Sequence, residues 1–148
     1  MVKQLMTVEE IKKLLSQTLV GRLGTSKNDE PYVVPICFIH HKGKIYFHCA
    51  SEGKKLDNIK ANPSVCFQVD EYQLVPSSTP CKFTMHYRSV LVFGRTRFLT
   101  NQEEKLKILK LLINKFDGTK LAKPLDETMT HRVEVGEITI EKSTGKKN

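Results

Sequence analysis

The sequence lacks the patterns that mark several common protein classes. Its four cysteines, Cys37, Cys49, Cys66 and Cys81, stand far apart and form no Cys-x-x-Cys pair. This spacing argues against a zinc site or a redox dithiol and favours a reduced protein of the cytoplasm. Internal repeats and low-complexity segments are also absent, as are a G-x-G-x-x-G fingerprint and a Walker loop, so no common nucleotide-binding motif is present.

Long apolar runs are missing as well. No run of apolar residues is long enough to span a bilayer. The first twenty residues include Glu9, Glu10, Lys12 and Lys13, so they lack the uninterrupted apolar region of a signal peptide. We therefore expect no membrane partner.

The length and the balance of residue types favour one soluble globular domain over residues 1–148, with 39% hydrophobic and 27% charged residues. The polar stretch from about Lys142 to Asn148 is expected to be a frayed tail. Lys and Arg number 24 against 16 Asp and Glu, which gives a net charge of +8. That charge permits a phosphate-bearing partner but does not choose between nucleic acid and nucleotide.

Helical patterns occur in three places. Thr7 and Glu10 form a capping box before an amphipathic stretch, and Gly53 to Asn62 reads as a short helix that Pro63 stops. A second capping box, Thr100 with Glu103, predicts a third helix. Its buried stripe is predicted at Leu106, Leu109, Leu112 and Ile113, with Lys105, Lys107 and Lys110 in solvent.

The rest of the chain alternates in the manner of β-strands. Strands are predicted at Val20–Thr25, Tyr32–His40, Lys44–Ala50, Ser64–Tyr72, Phe83–Leu99 and Val133–Glu141. These six strands and few helices favour a mainly β fold, a small antiparallel barrel with peripheral helices. A ferredoxin-like α+β sandwich is the competing fold. Gly94 suggests a bulge, and Pro35 suggests an edge position or an irregularity.

Two strands carry candidate site residues on their outer faces. Alternation on Lys44–Ala50 directs Ile45, Phe47 and Cys49 into the core and leaves His48 outside, where its ring can meet a ligand or a second subunit. Tyr32–Ile39 is apolar on both faces, so a flat cofactor, a partner surface or the N-terminal helix should cover its outer side. The long Phe83–Leu99 strand is also apolar on both faces, which makes a homodimer a reasonable hypothesis.

The segment from Ser51 to Leu56 carries the sharpest chemical signal. It opens a helix with Lys54 and Lys55, which lie unfavourably at the positive end of the helix dipole unless an anion binds there. Free backbone N–H groups, a close approach at Gly53 and either lysine would together bind a phosphate.

Five segments between Gly21 and about Phe116 form a recognisable series. They are Gly21-Arg-Leu-Gly-Thr25, Pro31-Tyr-Val-Val-Pro35, Ile45-Tyr-Phe-His-Cys-Ala50 with Gly53-Lys-Lys55, Asn62-Pro-Ser-Val-Cys-Phe67 and Tyr87-Arg-Ser-Val90. In order and spacing they resemble those of the FMN-binding split-barrel family related to pyridoxamine phosphate oxidase, and within it the Nim-type nitroimidazole-resistance branch.

The resemblance implies a six-stranded split barrel that forms a homodimer and binds FMN at the interface. The cofactor-binding positions it implies are Val34, Pro35 and Ile36 along the ring, His48 near it, Ser51, Lys54 and Lys55 at the phosphate, and Tyr87 and Ser89 from the second subunit, with Cys49 and Ala50 also in contact with the cofactor. Some split-barrel relatives bind haem or a deazaflavin instead, and the fold alone does not separate them.

The function expected on this basis is an oxidoreductase. It would pass electrons from a reduced donor to a small acceptor such as a nitroaromatic compound, with His48 as the catalytic residue. The alternative from another class is a non-enzymatic module that binds nucleic acid through a basic surface containing Lys54, Lys55 and Lys60. The hypothesis of a metal hydrolase has less support, because no His or Cys spacing matches a set of metal ligands. No metal is expected.

Overall fold

The computed structural model describes residues 2–117 and 125–148. Its strands are β1 (Gln4–Leu5), β2 (Val20–Lys27), β3 (Glu30–His41), β4 (Lys44–Ala50), β5 (Ser64–Val75), β6 (Thr84–Phe98) and β7 (Val133–Lys147). Its helices are α1 (Val8–Gln17), α2 (Lys54–Ala61), α3 (Gln102–Asp117) and α4 (Glu127–Thr130).

The strands form an antiparallel ring. Their order is β1-β7-β4-β3-β2-β5-β6, and β6 also pairs with β7, which closes β2 to β7 into a six-stranded barrel. The predicted barrel with peripheral helices is thus confirmed, and the α+β sandwich is not observed. In the described residues, no helix is both long enough and apolar enough to cross a membrane.

Two tight turns set the register of β2, β3 and β4. Between the paired residues Lys27 and Glu30, Asn28 and Asp29 have positive φ angles. Lys42 and Gly43 also have positive φ angles, between the paired residues His41 and Lys44. Two positive-φ residues form the turn that matches the twist of a hairpin. The β2–β3 strands extend further into their turn than the sequence suggested.

Two predicted irregularities are present. β3 pairs with β4 only from Phe38 to His41, so Pro35 lies where β3 has no β4 neighbour to receive an N–H. A register shift occurs between Phe93 and Gly94, where β7 carries one extra residue. A Cβ on Gly94 would lie 2.3 Å from the Thr139 carbonyl oxygen, so the strands approach too closely for a side chain there.

Two apolar clusters hold the fold together. The first fills the barrel and its α1 and α2 caps, with Phe38, Phe47 and Phe67 fully buried, and Phe38 and Phe67 meeting edge to face at 4.7 Å between centroids. The second lies outside the barrel under α3 and includes Ile39 and Tyr46. The capping box of Thr7 and Glu10 on α1 is confirmed by both reciprocal hydrogen bonds.

Two expectations for α3 are wrong. Its first turn is capped by Asn101, whose Oδ1 accepts from the Glu104 N–H at 3.0 Å, and not by Thr100. Lys105 is buried, whereas Leu106 is only partly buried. The buried positions are 105, 108, 109 and 112, so the helix is rotated towards Ile108. Leu109 and Leu112 belong to both stripes, which is why the pattern left the rotation open.

The frayed tail predicted from about Lys142 is also wrong. Residues 142–147 continue β7 and pair with β6, and the last of them pair with β1 as well. Gly145 lies directly under Met6 and Ile11, and Lys147 forms an ion pair with Glu10. The segment has a polar sequence because backbone hydrogen bonds, the close packing of Gly145 and the Lys147–Glu10 ion pair hold it in place, and none of these produces an apolar pattern.

Candidate functional site

A cleft lies at the mouth of the barrel where β3, β4 and the start of α2 meet. Its volume is about 200 Å³. It brings together five of the predicted site residues: Val34, Cys49, Ala50, Lys54 and Lys55. Tyr32, Glu52, Gly53 and Leu56 complete its lining. Segments that are far apart in the sequence therefore converge where the prediction places a cofactor.

The N-terminus of α2 opens onto this cleft. Gly53 precedes the helix with φ of 132°, a conformation that side chains disfavour. Among the described residues, no side chain caps the first turn of α2, and nothing lies within 4 Å of a Cβ built on Gly53. Exposed backbone N–H groups at a helix N-terminus attract anions. The arrangement fits a phosphate group.

The two lysines at this helix start face different surroundings. Lys54 Nζ donates to Glu30 Oε1 at 2.7 Å and lies 5.0 Å from the centroid of the Tyr32 ring. Lys55 is half-buried, and its charge acts on His48 and Cys49. Both lysines line the cleft, but Lys54 is already paired with Glu30, whereas Lys55 forms no ion pair with any described residue.

His48 is exposed on the outer face of β4, as the alternation predicted. Partial enclosure by the surrounding protein lowers the pKa of His48, and the positive charge of Lys55 lowers it further. The ring is therefore mainly neutral at pH 7. Such a ring can donate or accept a hydrogen bond beside a ligand.

Cys49 points into the barrel and is 8% exposed. Burial raises the pKa of its thiol. It is therefore an apolar wall of the cleft and a poor nucleophile.

The remaining predicted residues do not line this cleft. Ile36 is buried in the first core, so its side chain points inward. Pro35 and Ser51 are exposed. A ligand lying along Val34 to Ile36 would meet backbone and alternating side chains, not one continuous apolar face.

Tyr87 and Ser89 lie far from the cleft along the chain's own sheet. Ser89 pairs with Lys146 on β7, whereas His48 pairs with Val135. Those β7 positions are separated by roughly 35 Å of strand at about 3.3 Å per residue. Within one chain, Tyr87 and Ser89 therefore do not reach the cleft beside His48.

Tyr32 and Glu30 lie at the site but are not among the residues predicted for it. Tyr32 shares its face of β3 with Val34, so a two-residue periodicity applied one step further would have found it. The pairing of Glu30 with Lys54 joins a hairpin turn to a helix start, and no local pattern signals that contact.

The outer face of the sheet carries an apolar surface that the described residues leave open. Val33 on β3 is 64% exposed, and Leu91 and Phe93 on β6 are 38% and 42% exposed. A shallow cleft of about 420 Å³ crosses this face beside Cys66. The N-terminal helix therefore does not cover this part of β3; α3 covers only its far end, at Ile39.

Neither a disulfide nor a metal site is seen within residues 2–117 and 125–148. All four cysteines are free. No three His, Cys, Asp or Glu side chains of those ranges converge as a ligand set. His40 is half-buried near Lys12 and Lys115, whereas His86 and His131 are exposed.

Comparison with known proteins assigns the family. The sequence profile of pyridoxamine 5′-phosphate oxidase matches residues 7–147. The chain belongs to the pyridoxamine 5′-phosphate oxidase-like family. The predicted relationship is thus confirmed. An uncharacterized protein of Rhizobium meliloti (strain 1021) is 30% identical over 93 residues, which covers 62% of this chain and 54% of that relative. The match thus spans about half the length of the relative.

Several solved structures share the fold of this chain. A candidate 5-nitroimidazole antibiotic resistance protein from Bacteroides thetaiotaomicron superposes with a TM-score of 0.84 at 24% identity, covering 98% of this chain and 87% of its own. A FAD-binding protein from Mesorhizobium loti superposes with a TM-score of 0.75 at 26% identity, covering 100% of this chain and 99% of its own. A FAD and heme binding protein from Mycobacterium smegmatis gives 0.85 at 15% identity, covering 99% and 73%. The split barrel is thus the fold of this chain.

Proposed function

We propose that this chain is an FMN-binding oxidoreductase that passes electrons from a reduced donor to a small acceptor such as a nitroaromatic compound. The observation that carries the proposal is the uncapped N-terminus of α2, which opens with Gly53, Lys54 and Lys55 onto the cleft at the barrel mouth. Family membership and the flavin named for the Mesorhizobium loti relative support it.

The phosphate of the cofactor would bind at the start of α2. The first-turn N–H groups and the Lys55 ammonium would hold it, and Gly53 leaves room for a close approach. A single helix N-terminus suits the one phosphate of FMN.

The flavin supplies the electron transfer when it is bound. This chain positions the ring and controls what reaches it. Tyr32 and Val34 are the half-exposed side chains on one wall of the cleft, and they would exclude water from one side of the ring. His48 would hold the acceptor by a hydrogen bond from its neutral ring, because its lowered pKa keeps it uncharged at pH 7.

We further propose that two copies associate through the open outer face of the sheet. The apolar side chains of Val33, Leu91 and Phe93 would be buried there. Association would allow Tyr87 and Ser89 of a second copy to approach the cleft, which they do not do within one chain. Light scattering on the purified protein should give twice the mass of the 148-residue chain; the monomer mass at micromolar concentration would contradict the dimer.

The visible absorption spectrum of the purified protein tests the cofactor. We expect a yellow protein that releases about one FMN per chain on denaturation. Release of FAD alone would show that the protein is a flavoprotein but does not use FMN. A haem absorption band would mean that the chain binds haem and that the proposed flavin chemistry is wrong. A colourless protein that also fails to bind added FMN would refute the proposal.

A further inference from the structure

Lys54 separates two clefts at the start of α2. The first is the proposed cofactor cleft. The second, of about 390 Å³, shares Gly53 and Lys54 with it and is otherwise lined by Lys27, Asn28, Glu30, Asp57 and Asn58. The Lys54 ammonium is directed to the second cleft, where Glu30 accepts its hydrogen bond at 2.7 Å.

We propose that Glu30 competes with the cofactor phosphate for Lys54 and thereby sets how strongly the site distinguishes phosphorylated from unphosphorylated flavin. The inference rests on the proposed flavin function. The Lys54 ammonium is partly neutralised while Glu30 holds it, and the Glu30 carboxylate repels a phosphate bound nearby. The phosphate is therefore held chiefly by Lys55 and the helix N–H groups unless Lys54 turns from Glu30 towards it.

The hairpin geometry makes Glu30 a fixed competitor. Glu30 is the first residue of β3, directly after the two positive-φ residues Asn28 and Asp29 of a tight turn. Its backbone position is set by its register with Lys27. The carboxylate side chain is 68% exposed, so its removal should not disturb the core. Lys54 is held on its other side by the Tyr32 ring, 5.0 Å from the centroid.

Titration of FMN and riboflavin into the apoprotein tests this competition, because the two ligands differ only by the phosphate. We expect Glu30→Gln to lower the Kd for FMN by about fivefold to tenfold, which corresponds to about 1.0–1.4 kcal/mol. The Kd for riboflavin should not change. Asp29→Asn is the matched control: it removes the same charge from the neighbouring residue of the same turn, and Asp29 forms no ion pair with any described residue. It should change the Kd for FMN by less than about twofold.

A second variant tests the identity of the released group. In the Glu30→Gln background, Lys54→Met should weaken FMN binding more than it does in the wild-type background, since only there is Lys54 free for the phosphate. Weaker FMN binding by Glu30→Gln would mean that Glu30 instead orients Lys54 for the phosphate, and would overturn the inference. An equal change for riboflavin and FMN would overturn it too. A wild-type protein that binds neither flavin would refute the proposed function itself. A wild-type protein that binds FMN, with a Kd that Glu30→Gln leaves unchanged, would overturn only the inference about Glu30.

Discussion

The buried carboxylate of Glu137 allows the most quantitative prediction. It is 1% exposed and accepts from Lys44 Nζ at 3.0 Å, from the Tyr46 hydroxyl at 3.0 Å and from Arg97 Nε and Nη2 at 2.8 and 3.2 Å. These bonds join β4, β6 and β7 where the barrel closes. Burial alone would raise the pKa of Glu137, but the hydrogen bonds from Arg97, Lys44 and Tyr46 outweigh it and lower the pKa.

Replacing Glu137 by Gln keeps the volume but removes the charge and one acceptor. Hydrogen bonds to a charged group contribute about 1.5–3 kcal/mol each. The Lys44 and Arg97 side chains are 38% and 57% exposed, so water replaces part of what they lose. Tyr46 is 7% exposed and regains little. We therefore expect a loss of about 2–3 kcal/mol in the free energy of unfolding.

Urea denaturation at pH 7 measures this loss. Glu104→Gln is the control, because Glu104 also lies near Arg97, at 3.6 Å, but is 40% exposed; it should cost less than about 0.5 kcal/mol. The folded pKa of Glu137 lies below its unfolded value, so its contribution is present above the unfolded pKa and is lost as the pH falls through the folded pKa. The difference between Glu137→Gln and wild type should therefore shrink in acid. A loss below about 0.5 kcal/mol at pH 7, or one as large for Glu104→Gln, would refute the reasoning.

Three further predictions concern the core, the alkaline range and the site. Gly136→Ala would place a Cβ 2.3 Å from Phe47 Cζ, and because Phe47 is fully buried we expect the free energy of unfolding in urea to fall by about 3 kcal/mol. Gly43→Ala meets open space at a positive φ and should lower it by only about 1 kcal/mol. Equal losses for the two variants would contradict the steric explanation. Burial and the bond to Glu137 raise the pKa of Tyr46 from 10.0 to about 12. Stability that is present below the unfolded pKa should therefore fall by about 3 kcal/mol as the pH rises through the folded value, and Tyr46→Phe should lack this fall. His48→Ala should keep the flavin content and lower turnover of a nitroaromatic acceptor by about a hundredfold or more; full turnover would remove His48 from the reaction.

The barrel was predictable because its strands alternate clearly. In β4, Ile45, Phe47 and Cys49 face the core in the structure as the pattern required. Tyr46 was not predictable as a buried residue, since its cover is α3, which comes from a distant part of the chain. The end of β7 was missed for the opposite reason: its backbone pairs on both edges, but its side chains carry no apolar signal.

The candidate site was predictable in outline. The glycine and lysines at the start of α2 marked an anion site, because helix geometry follows from local sequence. Which lysine is already paired was not predictable, since Lys54 bonds to Glu30 across a hairpin turn and a helix start. The roles of Tyr87 and Ser89 depend on a second copy, and no alternation pattern within one chain can place them.

The most direct test of the central claim is an amide ¹H–¹⁵N NMR titration of the isotope-labelled apoprotein with FMN. If the start of α2 binds the phosphate, the largest shifts should occur at the N–H groups of Gly53, Lys54, Lys55 and Leu56, and riboflavin should move these groups much less. Saturation with FMN that leaves these four groups unmoved, or shifts that centre on another part of the barrel, would contradict the account.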